Sequence, residues 1–64
     1  MYGIVKWYNI KKGYGFIKTE EGEDVFVHKN QIPFWKIYLN KGERFEFLIK
    51  DTNRGPVATD LKQV

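Results

Sequence analysis

The stretch Lys12-Gly13-Tyr14-Gly15-Phe16-Ile17-Lys18 decides how this chain is read. Its two glycines sit inside what otherwise reads as a strand, where glycine weakens a sheet and marks a bend or the close approach of another backbone. Side chains alternate across a strand, so Tyr14, Phe16 and Lys18 share one face, with Gly13, Gly15 and Ile17 on the other. Two rings beside a lysine make a poor core face, because a buried ammonium is costly without a partner. They make a good surface for unstacked bases, with Lys12 and Lys18 placed to meet phosphates.

Outward from that stretch, turn signals divide the chain into five strand-like segments, which predicts an all-β barrel or sandwich. The first is Tyr2–Asn9, the second Gly13–Thr19 and the third Asp24–His28, with Glu20–Glu23 around Gly22 as the hairpin turn between the last two. A longer connection, Lys29–Gly42, carries Pro33 and is compatible with a short helical turn inside Asn30–Asn40. Arg44–Lys50 is the fourth strand, Asn53-Arg54-Gly55-Pro56 a turn, and Val57–Lys62 the fifth. Alternation sends Val25, Val27, Phe45, Phe47 and Ile49 inward, joined by Ile17, Ile32 and Leu61. Asp24, Phe26 and His28 face outward. The first strand is ambiguous, since Val5 with Trp7 and Ile4 with Tyr8 are both partly apolar pairs. A bulge or strong coil there would resolve it.

Sixty-four residues form one small domain spanning 1–64, with room for only about ten core side chains. Without cysteine there is no disulfide or thiolate metal site, and the composition fits a reducing, cytoplasmic setting. No apolar run approaches the roughly 20 residues of a membrane span, and no signal peptide is expected. The net charge is +3 and its distribution is uneven. Lys6, Lys11, Lys12 and Lys18 have no acid among residues 1–18, whereas Glu20, Glu21, Glu23 and Asp24 crowd around Gly22. Such sorting suggests one surface that faces a polyanion.

The chain has two Trp, four Tyr and five Phe, more rings than so small a core can hold. If the second and third strands form a hairpin, Tyr14, Phe16, Phe26 and His28 share its outer face, flanked by Lys12, Lys18 and Asp24. Residues two apart on a strand are separated by about 6.6–6.8 Å, so each ring can take a separate base. The competing uses of that face are a second core layer or a dimer contact. A lone Trp such as Trp7 is more often core than ligand surface. His28 is the only histidine, and Asp24 lies about 13 Å from it along the strand, which excludes an acid–base pair there. No catalysis, metal or cofactor is expected.

Four motifs carry a family resemblance: Val5-Lys6-Trp7-Tyr8-Asn9, Lys12-Gly13-Tyr14-Gly15-Phe16-Ile17, Asp24-Val25-Phe26-Val27-His28 and Asn53-Arg54-Gly55-Pro56. With these in order and at the right spacing, the chain resembles the cold-shock domain along nearly its whole length. The resemblance implies a five-stranded antiparallel barrel of the oligonucleotide/oligosaccharide-binding (OB) type that binds single-stranded RNA and DNA as an RNA chaperone. It implies nucleic-acid contacts by Lys6, Trp7, Lys12, Tyr14, Phe16, Phe26, His28 and Arg54, with Asn9 and Asp24 touching base edges, and it moves Trp7 from core to surface. The expected state is a monomer without a small-molecule substrate.

The chain departs from the family pattern twice. Lys29 stands where another aromatic is common, which exchanges a stacking surface for a phosphate contact. The connection Gln31–Tyr38 is rich in aromatics where the family has a Gly-rich loop with one base-stacking Phe. Phe34 or Trp35 could take that role, or both could pack onto the barrel end. An RNA-recognition motif has a similar Lys-Gly-aromatic-Gly-Phe signature but needs two helices, which are not legible here. A peptide-binding barrel would pair its rings with acids or select proline, whereas lysines flank the rings here.

Overall fold

The computed structural model describes residues 1–64. Its five strands are β1 (Tyr2–Asn9), β2 (Tyr14–Thr19), β3 (Asp24–His28), β4 (Arg44–Thr52) and β5 (Gly55–Gln63). They close into a barrel in the order β1-β2-β3-β5-β4. Four of the five pairings are antiparallel and the β3–β5 seam, at Phe26–Val57, is parallel. The expected five-stranded barrel is present, antiparallel except at this one seam. A closed ring with an odd number of strands cannot alternate direction throughout, so one neighbouring pair must run the same way.

The inward residues of the five strands meet in one cluster. Val5, Ile17, Val25, Val27, Phe45, Phe47, Ala58 and Leu61 are buried, with Ile32, Ile49 and Tyr8 packed against them. Leu39 from the long connection is also buried, a core residue that strand alternation could not reveal because it lies outside any strand. Each large aliphatic or aromatic side chain removed from water contributes about 1.5–3 kcal/mol, so this set supplies most of the drive to close the barrel.

Two irregularities set which side chains face out. In β1 the register with β2 slips between Val5 and Trp7, leaving Lys6 as the extra residue of a bulge. Val5 can therefore point inward and Trp7 outward although they are two residues apart. In β5 Asp60 is the extra residue opposite the Glu46–Leu48 step, with φ of 55°. Its amide donates to Gln31 Oε1 at 3.1 Å, which fastens the bulge to the 3₁₀ turn Lys29–Gln31.

Gly13 and Gly15 have different roles. Gly13 has φ of +72° and belongs to the turn, so β2 begins at Tyr14 rather than at Gly13. Gly15 is a close approach: a Cβ there would collide with the Trp7 carbonyl and meet Tyr8 Cα at 2.8 Å. The bulged backbone of β1 leans on Gly15. The β4–β5 turn is also tighter than expected, since Thr52 pairs with Gly55 and only Asn53 and Arg54 lie between them.

Candidate nucleic-acid interface

Strand register assembles the outer face in transverse rows. Phe26 opposes Phe16, and Phe16 opposes Trp7, so one row of rings crosses three strands. The next row places His28 opposite Tyr14 and Tyr14 opposite Asn9. Ring centroids lie 5.8 Å apart for Trp7–Tyr14, 5.4 Å for Trp7–Phe16, 5.5 Å for Tyr14–Phe26 and 5.8 Å for Phe16–Phe26. These are mostly edge or tilted contacts, the arrangement that ring quadrupoles favour. No part of the chain forms a second layer over them: Trp7 is 40% exposed, and Tyr14, Phe16 and Phe26 are half-buried. The face is thus a supported aromatic surface open to solvent.

The polar residues around it differ in how free they are. Lys6 Nζ bonds Asp24 Oδ2 at 2.9 Å, bridging β1 and β3 over β2. That hydrogen bond, aided by the charges of Lys6 and Lys18 against some desolvation, holds the Asp24 carboxyl below its ordinary range. Asn9 uses its side-chain oxygen to accept from the Lys12 amide at 2.9 Å, and its own carbonyl accepts from Gly13 at 2.8 Å. Asn9 therefore shapes the turn that presents Lys12. His28 Nδ1 accepts from the Asn30 amide at 3.2 Å. A neutral imidazole bonded that way carries its proton on Nε2, which is left to donate to a ligand. Lys29 lays its aliphatic stem beside Gly13, where an added Cβ would stand 2.8 Å from Lys29 Cδ.

Arg54 reaches the ring surface from the far side. A groove of about 260 Å³ runs beside Phe26 and is lined also by Phe16, Asp24, Pro56, Val57 and Arg54. It is smaller than the roughly 300–1,000 Å³ of pockets that enclose drug-sized ligands. An open groove continuous with stacked rings suits part of a strand better than a whole small molecule. Its far wall comes from the β4–β5 hairpin, so only the motif around Arg54 signalled it in advance.

Phe34 and Trp35 do not join the ring cluster. Phe34 is 98% exposed, which rules out packing on the barrel end, and Trp35 is 58% exposed. Lys36 holds its ammonium 5.9 Å from the Trp35 ring and forms an ion pair of 2.8 Å with Glu43. Burial pushes the Glu43 carboxyl up, but Lys36, the Asn40 amide and the Gln63 side chain outweigh it and hold the carboxyl low. The connection is thereby tied at its base while its rings project.

Comparisons with known proteins agree with this geometry. The family model of the 'Cold-shock' DNA-binding domain matches residues 1–64. The chain is 48% identical over 63 residues to the cold shock-like protein CspC of Bacillus cereus, covering 95% of each chain. It is 46% identical over 65 residues to a cold shock-like protein of Thermotoga maritima, covering 100% of this chain and 98% of that one. The major cold shock protein of Streptococcus pyogenes serotype M6 is 40% identical over 63 residues, covering 97% of this chain and 94% of that protein. The family model spans the whole chain and the relatives align along nearly all of it: the chain belongs to the cold-shock domain family, whose members bind single-stranded nucleic acids.

Proposed function

We propose that the protein captures unpaired RNA or DNA by stacking bases on Trp7, Tyr14, Phe16 and Phe26, with His28 donating at the margin. Lys12, Lys18 and Lys29 form a phosphate rim, Arg54 works from the groove beside Phe26, and Phe34 and Trp35 add rings from the long connection. Lys6 and Asp24 enter as a pair, so Lys6 meets a phosphate only by exchanging its carboxylate partner. Asn9 acts through the turn that carries Lys12. The observation that supports this reading best is the cluster of four mutually supported rings left open to solvent.

Stacking contributes about 1–3 kcal/mol per base with little dependence on base identity, and each released counterion adds salt dependence. A protein that binds only the open strand shifts a hairpin toward opening by mass action, with no need for ATP. That is RNA-chaperone action without catalysis. The reading places residues 1–64 as one domain acting in the cytoplasm as a monomer, which leaves the ring face open for the strand, with no small-molecule substrate. No helix is long and apolar enough to cross a membrane.

Titration with oligo-U, oligo-dT, oligo-A, a duplex and a Pro-rich peptide at two salt concentrations tests the proposal through Trp fluorescence. Single strands should quench emission, more weakly at high salt. Tight duplex binding, or quenching by the peptide alone, would overturn it.

A further inference from the structure

We infer that the nucleic-acid track does not end at the aromatic rows but continues onto Lys18, Ile4, Arg44 and Tyr2, which form an added phosphate-and-base subsite. This rests on the stacking function proposed above. The register supports it directly. One row below Phe26–Phe16–Trp7, Asp24 opposes Lys18, Lys18 opposes Ile4, and Ile4 opposes Arg44, a line across four strands. Rows on one strand are about 6.6–6.8 Å apart, so a chain leaving the rings meets this line next. The two cations are two strands apart, about 10 Å, with Ile4 between them.

The residues in that line are available. Lys18 and Arg44 take part in neither of the protein's ion pairs, which use Lys6 with Asp24 and Lys36 with Glu43. Ile4 is 48% exposed on the outer face of β1, so its side chain is open to contact between the two cations. Tyr2, Ile4, Lys18 and Arg44 line a groove of about 340 Å³, together with Glu20. Arg44 rests its guanidinium 5.9 Å from the Tyr2 ring. A guanidinium held over a ring keeps its N–H edge free for a phosphate. Tyr2 also opposes Glu46 across the β1–β4 pair, so acids bound the groove beyond Tyr2 and direct a polyanion toward Lys18 and Arg44.

OB folds take roughly 4–16 nucleotides per site. Four rings account for the short end of that range, and this subsite serves longer strands. The test compares oligo-dT of about 4 and about 16 nucleotides, the two ends of that range, across a series of salt concentrations. Arg44→Gln should lower the slope of log K against log salt by about 0.7 for the long strand, the share of one phosphate contact. It should leave the short strand unchanged, and Arg44→Lys should restore the slope. In the unmodified protein, the Arg44 Nε–H resonance should shift when the long strand is added and stay still with the short one. An unaltered slope for Arg44→Gln on the long strand overturns the inference. So does an equal drop on both strands, since that is the general field of the protein and not a subsite. If the short strand fails to quench Trp emission, the stacking surface itself falls and the extension with it.

Discussion

Trp7, Tyr14, Phe16 and Phe26 lean on one another at 5.4–5.8 Å on a sheet whose other side is packed core, whereas Phe34 projects from the long connection almost fully exposed. The same kind of side chain is held in two ways. A ring supported by its neighbours has lost much of its rotamer freedom before a ligand arrives, and ordering a free side chain on binding costs about 0.5–1.5 kcal/mol. The sheet rings should therefore set affinity, and the connection should tune it. The ion pair of Lys36 with Glu43 is an intermediate device, anchoring the base of the connection without fixing Phe34.

Four substitutions test that contrast, beginning with the largest effect. Gly15→Ala puts a methyl group into the Trp7 carbonyl beneath the rings and should cost about 3 kcal/mol of folding stability, read by denaturant unfolding. A fully stable variant would show that β1 can move away and that the ring support is soft. Phe26→Ala should weaken oligonucleotide binding by about 1–3 kcal/mol and leave a folded barrel, as circular dichroism and fluorescence titration would show. If unfolding were the main result, Phe26 would be a structural residue.

Glu43→Gln should destabilise the protein by about 1–2 kcal/mol at neutral pH, because Lys36, Asn40 and Gln63 lose a charged acceptor. The Glu43 carboxyl is held low in the folded state, so its contribution is present above the unfolded-state value and is lost as pH falls through the folded one. The variant and the parent should converge in acid; a gap that persists there would assign the effect to packing. Phe34→Ala should have the smallest effect, under about 1 kcal/mol on binding and none on melting temperature, given the freedom of that ring. A loss as large as that of Phe26→Ala would erase the distinction between the two regions.

Much of this arrangement was legible before folding, and the exceptions have physical causes. Val25, Val27, Phe45 and Phe47 alternate cleanly, and all four are buried. The irregularity in β1 was signalled by two rival apolar pairs, Val5 with Trp7 and Ile4 with Tyr8, which one regular strand cannot both turn inward. Nothing comparable marked Asp60, since a short acidic residue in a left-handed conformation looks like any turn-tolerant position. Gly13 sits beside strand-forming residues that hide its role, and its positive φ places it in the turn. The ends of β4 and β5 ran further than expected because Thr52 and Gly55 pair across a turn of only two residues.

The outward placement of Tyr14, Phe16, Phe26 and His28 was determined by sequence alone, because the two-residue period of a strand is local backbone geometry. The four motifs further identified the family and moved Trp7 to the surface. Only the tertiary structure decided that Lys6 spends its charge on Asp24, that Leu39 enters the core, and that Lys18, Ile4 and Arg44 fall into one line. Those outcomes depend on the register between strands remote in sequence. Register is set when the barrel closes, by all the inward side chains packing at once, and no single strand contains it.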